Sequence, residues 1–309
     1  MSEKKARAVR FDQYGGPEVL HIAEVPVPAP AAGEVLVEVR ATSINPGEAS
    51  IRSGTFMPGS ADFPSGEGSD LAGVVTRLGD GVTEFAVGDE VLGFSLRRSS
   101  HATHVAVPTG QLIRKPPELS WPVAGSLYVV GVTAYAAVRA VDPQPGQTVA
   151  VSAAAGGVGS LVVQLLRARG AHVLGIASPA NADWLTEHGA TPISYGAGLA
   201  DRLRSAAPDG IDSFIDLFGP EYLQLAVDLG IARDRIETVI SFELAEKLGT
   251  QHKGSMDAST QEVLAEVADL VATGTIEIPI AATYPLDEVA AAFRELEKRH
   301  TRGKIVLLP

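Results

Sequence analysis

The sequence contains no cysteine. Disulfides, thiolate nucleophiles and cysteine-ligated metal sites are therefore excluded together. It also lacks any long basic run. The densest positive points are the pairs Arg97-Arg98 and Lys298-Arg299, in a chain of net charge −12. Nucleic-acid backbones are held by a clustered positive field, so a nucleic-acid partner is not expected. The charged start, Met1-Ser2-Glu3-Lys4-Lys5, has no apolar segment behind it. With the missing cysteines, this predicts a cytoplasmic protein. Long unbroken hydrophobic runs are scarce too. Residues 119–138 and 147–166 are uncharged and approach the ~20 residues that cross a bilayer. Pro122, Gly125 and Gly131 interrupt the first, and Gly156-Gly157-Val158-Gly159 splits the second. Both read as buried elements of a soluble fold, and no membrane partner is expected.

What is present is an ordinary globular balance. Hydrophobic residues make up 45% and charged residues 20% of 309, which argues against disorder and allows one large or two ordinary domains. The first third reads as β. Apolar alternation at 6–11, 35–39, 71–78, 90–94 and 104–107 is separated by turns such as Tyr14-Gly15-Gly16-Pro17, Leu78-Gly79-Asp80-Gly81 and Val87-Gly88-Asp89. Short strands between Gly, Pro and Asp clusters suggest a small barrel or sandwich. From Gln147 onward strand and helix patterns alternate. Strands are predicted at 148–153, 172–177 and 211–217, with helices at 158–169 and 181–188. That alternation predicts a parallel sheet covered by helices, an α/β class. The end is mixed: helices at 260–273 and 286–299, strands at 276–280 and 305–308.

The strongest local signal is Ser152-Ala153-Ala154-Ala155-Gly156-Gly157-Val158-Gly159-Ser160. It follows a predicted strand and opens a predicted helix. Against G-x-G-x-x-G it fits with Ala154 in place of the first glycine. Gly156 would let a pyrophosphate approach backbone amides. Gly159 would let the helix pack closely, and the helix N-terminus would face the phosphates. A plain tight turn that binds nothing is the alternative. The cofactor's identity turns on residues 176–182. NAD sites usually place a carboxylate about 20 residues beyond the turn, on the ribose 2′-hydroxyl. Here there is none before Asp183, which permits the 2′-phosphate of NADPH. Ser178 before Pro179 reads as an N-cap with proline at N1. It either holds a phosphate at a second helix N-terminus or merely caps.

These residues, with several further ordered motifs, resemble the medium-chain dehydrogenase/reductase superfamily, most closely its zinc-free quinone oxidoreductase (zeta-crystallin-like) branch. The resemblance is carried by residues 9–20, Ile44-Asn45-Pro46, Ile51-Arg52-Ser53-Gly54, residues 68–75, Val87-Gly88-Asp89-Glu90-Val91, Gly131-Val132-Thr133-Ala134-Tyr135, the glycine turn, and Arg302-Gly303-Lys304-Ile305-Val306. It implies a GroES-like β-barrel catalytic domain from both chain ends (1–118 and 276–309). A Rossmann doubly wound parallel-sheet domain would occupy 119–275. It further implies NADPH in preference to NADH, a small electrophilic acceptor and a homodimer. Asn45 and Thr133 would line the nicotinamide end, with Ala155, Gly156, Gly157 and Val158 at the pyrophosphate. Ser178, Asn181 and Tyr195 would lie near the adenosine phosphate. No metal is expected, because the zinc-dependent relatives place cysteine near Asn45 and histidine near Ser69. Quinone reductases often carry lysine where Asn181 stands and tyrosine where Ser50 stands; Phe56 also replaces a frequent tyrosine. Residues 232–238 replace a glycine-rich turn that many relatives show.

His101 and His104 lack a carboxylate partner in sequence and read as a surface loop entering a strand. Tyr135 and Arg139 lack the lysine of a Tyr-x-x-x-Lys pair, so Tyr135 reads as packing. Arg52 is either structural or attracts an anionic acceptor. Lys304 reaches phosphate or caps its strand, with structure favoured. The expected reaction is zinc-free hydride transfer from NADPH to a quinone or α,β-unsaturated carbonyl. Asn45, Ser50 and Thr133 are the candidate hydrogen-bond donors to the acceptor oxygen. The alternative is an NADPH-binding structural or redox-sensing protein with little turnover, favoured by the absent tyrosines at positions 50 and 56.

Overall fold

The apolar alternation of the first third becomes a set of strands sharing one core. A computed structural model describes residues 5–309; Met1 to Lys4, which carry most of the charged start, lie outside the described residues. Val35, Val37 and Val39 project from strand Glu34–Ser43 onto Leu71, Val75, Val91, Val105, Val107 and Leu112, all buried. β-Branched residues spaced two apart put their side chains on one face of a strand.

The chain forms two compact units. One gathers the residues up to Val129, Thr260–Thr273 and Ile280–Pro309. Its main sheet runs Ile280–Pro285, Lys304–Leu308, Glu34–Ser43, Asp70–Leu78, Glu90–Phe94, Leu112–Arg114, and His104–Pro108 also pairs with Glu34–Ser43. A three-stranded antiparallel sheet joins His21–Pro26, Lys5–Phe11 and Ser65–Gly66. Helix Gln261–Ala272 belongs to this unit; the Gln261 amide donates to the carbonyls of Thr109 and Leu112 at 3.1 and 2.6 Å. The last strand meets the first third directly, with Val306 opposite Ser43 and Leu307 opposite Thr42.

The other unit holds Val130–Ser259 and Gly274–Pro279. Five strands lie in the order Ala190–Ser194, His172–Ala177, Thr148–Val151, Ser213–Asp216, Ile236–Thr238, every pair parallel. Numbered along the chain, that order is 3-2-1-4-5. Helix Gly157–Ala168 buries Leu161, Val162 and Leu166 and ends before Gly170, whose φ of +79° suits a helix stop. The barrel plus doubly wound α/β class expected from the sequence is present.

One local expectation of the fold differs from the structure. Residues 276–279 are not a strand; the strand is Ile280–Pro285. Ile276 and Ile278 are buried as a strand would bury them. The hydrogen-bond partner is a side chain instead: Gln164 donates to the Glu277 carbonyl at 2.9 Å and accepts its N–H at 2.8 Å. Residues 119–138 form helices Trp121–Ala124 and Leu127–Val141. They are divided at Gly125, where a Cβ would lie 2.5 Å from the Ala41 carbonyl oxygen. Among the described residues no helix is long and apolar enough to cross a membrane.

Candidate active site

In the parallel-sheet unit the strand order reverses between Thr148–Val151 and Ser213–Asp216, which is where doubly wound sheets bind ligands, beyond the carboxyl ends of the strands. The glycine turn leaves the first of these strands. Ala153 takes φ +47°, and the Gly156 N–H returns to its carbonyl at 2.9 Å. Helix Gly157–Ala168 then starts with Gly156 as its N-cap and no acidic residue in its first turn. Its first N–H groups have no partner inside the helix. The two turn glycines answer different demands. A Cβ on Gly159 would sit 2.2 Å from the Ala153 carbonyl oxygen, so the fold itself requires glycine there. A Cβ on Gly156 would meet only that oxygen, at 3.2 Å. Position 156 is thus bare toward the helix N-terminus for little reason of packing, which fits a phosphate approaching the amides.

The other expected dinucleotide residues follow the next two strands. Ser178 succeeds His172–Ala177, and Tyr195, 47% exposed, succeeds Ala190–Ser194. Since the strands are parallel neighbours, Gly156, Ser178 and Tyr195 share one sheet edge. Ser178 does not open an α-helix as expected. It precedes a 3-10 turn, Pro179–Asn181, and its hydroxyl makes no cap bond. Instead it accepts from the Asn181 side-chain amide at 3.0 Å. Ala155 is buried behind the turn, and Gly157 and Val158 are the first two helical residues. Thr133, also in this unit, is buried within helix Leu127–Val141.

A buried network at the same edge was not apparent from the sequence. Ser152 donates to Asp216 at 2.9 Å and accepts the Leu217 N–H at 2.8 Å. Thr238 donates to the other Asp216 oxygen at 2.8 Å, and the Phe218 and Gly219 N–H groups complete the carboxylate's shell. Burial pushes the Asp216 carboxyl up, while the donated hydrogen bonds oppose that shift. The network ties the ends of strands one, four and five together under the switch point. Nearby Glu237 is buried too, and burial raises its pKa to about 9.

In the barrel unit Asn45 is the N-cap of helix Pro46–Arg52, with Ser50 one turn further on. Asn45 is 4% exposed. Its amide donates to Asp70 at 2.8 Å and to Glu48 at 3.3 Å. Its carbonyl oxygen accepts from Lys304 at 2.6 Å. Burial lowers the Lys304 pKa, and Asp70 and Glu48 oppose that shift. The Ser50 hydroxyl donates to the Pro46 carbonyl at 3.1 Å. Lys304, 4% exposed, is a buried partner of Asn45 and not an exposed phosphate ligand. The open choice for Arg52 resolves the same way: it is 1% exposed, pairs with Glu67 at 2.9 Å and Glu297 at 3.1 Å, and lies over the Phe293 ring. Burial raises Glu67 to about 8 despite Arg52 beside it. His101 is not on a surface loop. It is 1% exposed, and its Nε2 faces the Ser43 carbonyl at 3.0 Å. Its buried setting depends on Glu48 and Glu67, which are distant in sequence.

A barrel unit and a doubly wound unit with a glycine turn at its switch edge, in one chain, define a two-unit oxidoreductase. The alcohol dehydrogenase GroES-like domain family matches residues 31–117, and the zinc-binding dehydrogenase family matches residues 188–307. A rat quinone oxidoreductase is 30% identical over 99% of this chain and 98% of its own length. The structure of a quinone oxidoreductase from Coxiella burnetii superposes with a TM-score of 0.90 at 30% identity, over 99% of this chain and 100% of that one. That of the Escherichia coli quinone oxidoreductase, complexed with NADPH, gives 0.87 at 26% identity, over 98% and 100%. The chain belongs to the medium-chain dehydrogenase/reductase superfamily, in its quinone oxidoreductase branch. The zinc implied by one matched family does not fit this site. Position 45 offers an amide whose atoms are already bonded, and position 69 a serine. Among the described residues no group of three or more His, Asp or Glu is arranged to hold a metal ion.

Proposed function

We propose that the protein is an NADPH-dependent reductase that passes a hydride to a quinone or α,β-unsaturated carbonyl without zinc. The observation that carries this reading is the bare Gly156 position at the N-terminus of helix Gly157–Ala168, on a sheet edge it shares with Ser178 and Tyr195. The amides of Gly157 and Val158 would hold the pyrophosphate, with Ala155 packed behind them. Ser178, Asn181 and Tyr195 would surround the adenosine phosphate. The segment 176–182 carries no carboxylate to repel a 2′-phosphate, which supports NADPH over NADH. Bound NADPH supplies the hydride from C4 of its dihydronicotinamide ring.

The chain's own work is to align and to hydrogen-bond. A quinone or enone develops negative charge on oxygen as hydride arrives, and a preorganised donor stabilises that charge. Ser50 and Thr133 are the hydroxyls proposed for this role, with Asn45 beside the nicotinamide. An unactivated alcohol needs a group to take its proton, usually zinc or a tuned base, and the residues around position 45 offer no zinc site. The protein is further proposed to work as a cytoplasmic homodimer, with the dinucleotide bound by the unit of Val130–Ser259 and Gly274–Pro279.

Steady-state NADPH oxidation is the test, with a panel of quinones and enones beside ethanol and NADP⁺. Turnover is expected with the first group and not with the second. Alcohol oxidation in metal-free buffer, without quinone or enone turnover, would reverse the assignment. Asn181→Asp is expected to shift preference toward NADH by placing a carboxylate near the 2′-phosphate. Tighter binding of NADH than NADPH by the wild-type protein would overturn the cofactor reading.

A further inference from the structure

Asn45 is held more completely than a free hydrogen-bond donor would be. Both protons of its amide go to buried carboxylates, one to Asp70 at 2.8 Å and one to Glu48 at 3.3 Å. Its backbone N–H is bonded as well, to the other Glu48 oxygen at 2.9 Å. The amide oxygen faces the Lys304 ammonium at 2.6 Å. The partners are anchored in turn. Lys304 also donates to the Ile44 carbonyl at 3.1 Å. Asp70 accepts from Ser43 at 2.7 Å and from the Val129 N–H at 2.8 Å, and Glu48 accepts from the Ser69 N–H at 2.8 Å. Lys304, Asp70, Glu48 and Asn45 are all at most 4% exposed.

An asparagine amide has two faces of opposite polarity, and its neighbours decide which way each points. Here two carboxylates and one ammonium fix the choice. Turning the amide over would set its NH₂ against an ammonium and its oxygen against a carboxylate. Burying a lysine is costly unless it is paired and hydrogen-bonded. Its two direct bonds here are to Asn45 and to the carbonyl just before it.

We propose that Lys304 is a positioning residue for the active site, one that locks the orientation of the Asn45 amide through a direct bond to its oxygen. Asn45 then does not donate to the acceptor. It presents a fixed amide edge beside the nicotinamide. This rests on the reading of Asn45 as a residue at the nicotinamide end.

The test compares wild type with Lys304→Met and with the double variant Lys304→Met/Asp70→Asn. The single variant leaves two buried carboxylates without their ammonium and is expected to lose stability. The double variant removes one positive and one negative charge, so the formal charge of the group is unchanged. The new amide at position 70 can donate to the Asn45 oxygen, which favours the reversed orientation. It is expected to melt close to wild type and to bind NADPH within threefold of wild type. Its kcat for quinone reduction is expected to fall at least tenfold, with KM for the quinone within threefold. A folded double variant with wild-type kcat would overturn the positioning role. So would a kcat loss matched by an equal loss of folded protein in both variants. A wild-type protein that binds NADPH but reduces no quinone or enone would instead defeat the functional reading beneath it.

Discussion

The two units hold their candidate residues by opposite principles. In the doubly wound unit the candidate residues are a matter of backbone: a mostly small-residue turn over a span of eight, Ser152 to Gly159, that opens a helix. In the barrel unit they are a matter of buried charge. Asn45 is gripped by Glu48, Asp70 and Lys304, the last 259 positions away in sequence. A backbone site tolerates little side-chain bulk but asks nothing of distant residues. A charged site tolerates no unbalanced partner, since a buried ion left alone costs several kcal/mol.

If that contrast is right, bulk should damage the doubly wound unit most. Gly159→Val places a side chain into the Ala153 carbonyl, where even a Cβ would lie 2.2 Å away. It should cost at least ~3 kcal/mol, at the upper end of overpacking effects. Thermal unfolding would show this, and an unshifted melting temperature would mean that the turn is not rigid.

The next effect belongs to a buried carboxyl in the doubly wound unit. Glu237 is raised to about 9 by burial, above its ordinary value of 4.5. The folded state therefore keeps this proton where the unfolded chain has lost it. Its contribution to stability is full below about pH 4.5 and is lost as pH rises toward about 9. Across that window stability should fall by about 1.4 kcal/mol per pH unit on account of this group. Glu237→Gln keeps an acceptor for the Lys253 N–H, now bonded at 2.6 Å, and should remove that slope. Urea titrations at several pH values read it directly; identical slopes in both proteins would contradict the buried, protonated state.

Ser152→Ala should cost about 1–3 kcal/mol, because it leaves the Leu217 N–H without its acceptor and Asp216 short of one donor. The smallest effect on stability is expected at Gly156. Gly156→Ala meets one atom at 3.2 Å and should change stability by no more than ~1 kcal/mol. Yet it should weaken NADPH binding at least tenfold, because the methyl group stands where the phosphate approaches. Unimpaired NADPH affinity in this variant would break the contrast between the two glycines.

The same contrast explains what could be read from the sequence. The glycine turn was legible because its chemistry is contiguous and its strand–turn–helix context is local. The strands around Val35, Leu71 and Val105 were legible because burial on one face leaves a period of two. The segment 276–279 misled because its burial alternates like a strand while Gln164 takes the place of the neighbouring strand. The lattice around Asn45 was not legible. Glu48 and Asp70 carry no signal in sequence, and Lys304 read as a phosphate contact or a strand cap, until the barrel brings the two chain ends together. His101 was placed on a surface for the same reason. Asp216 was missed because its partners, Ser152 and Thr238, come from separate strands of the parallel sheet.

NADPH held at the glycine turn is proposed to give its hydride to an electron-poor acceptor. Stopped-flow mixing of the NADPH-loaded protein with a simple quinone tests it most directly. The account predicts loss of the bound NADPH absorbance within a single turnover, slowed when the transferred C4 hydrogen is deuterium. Bound NADPH that keeps its absorbance after mixing with quinones and enones alike would contradict it.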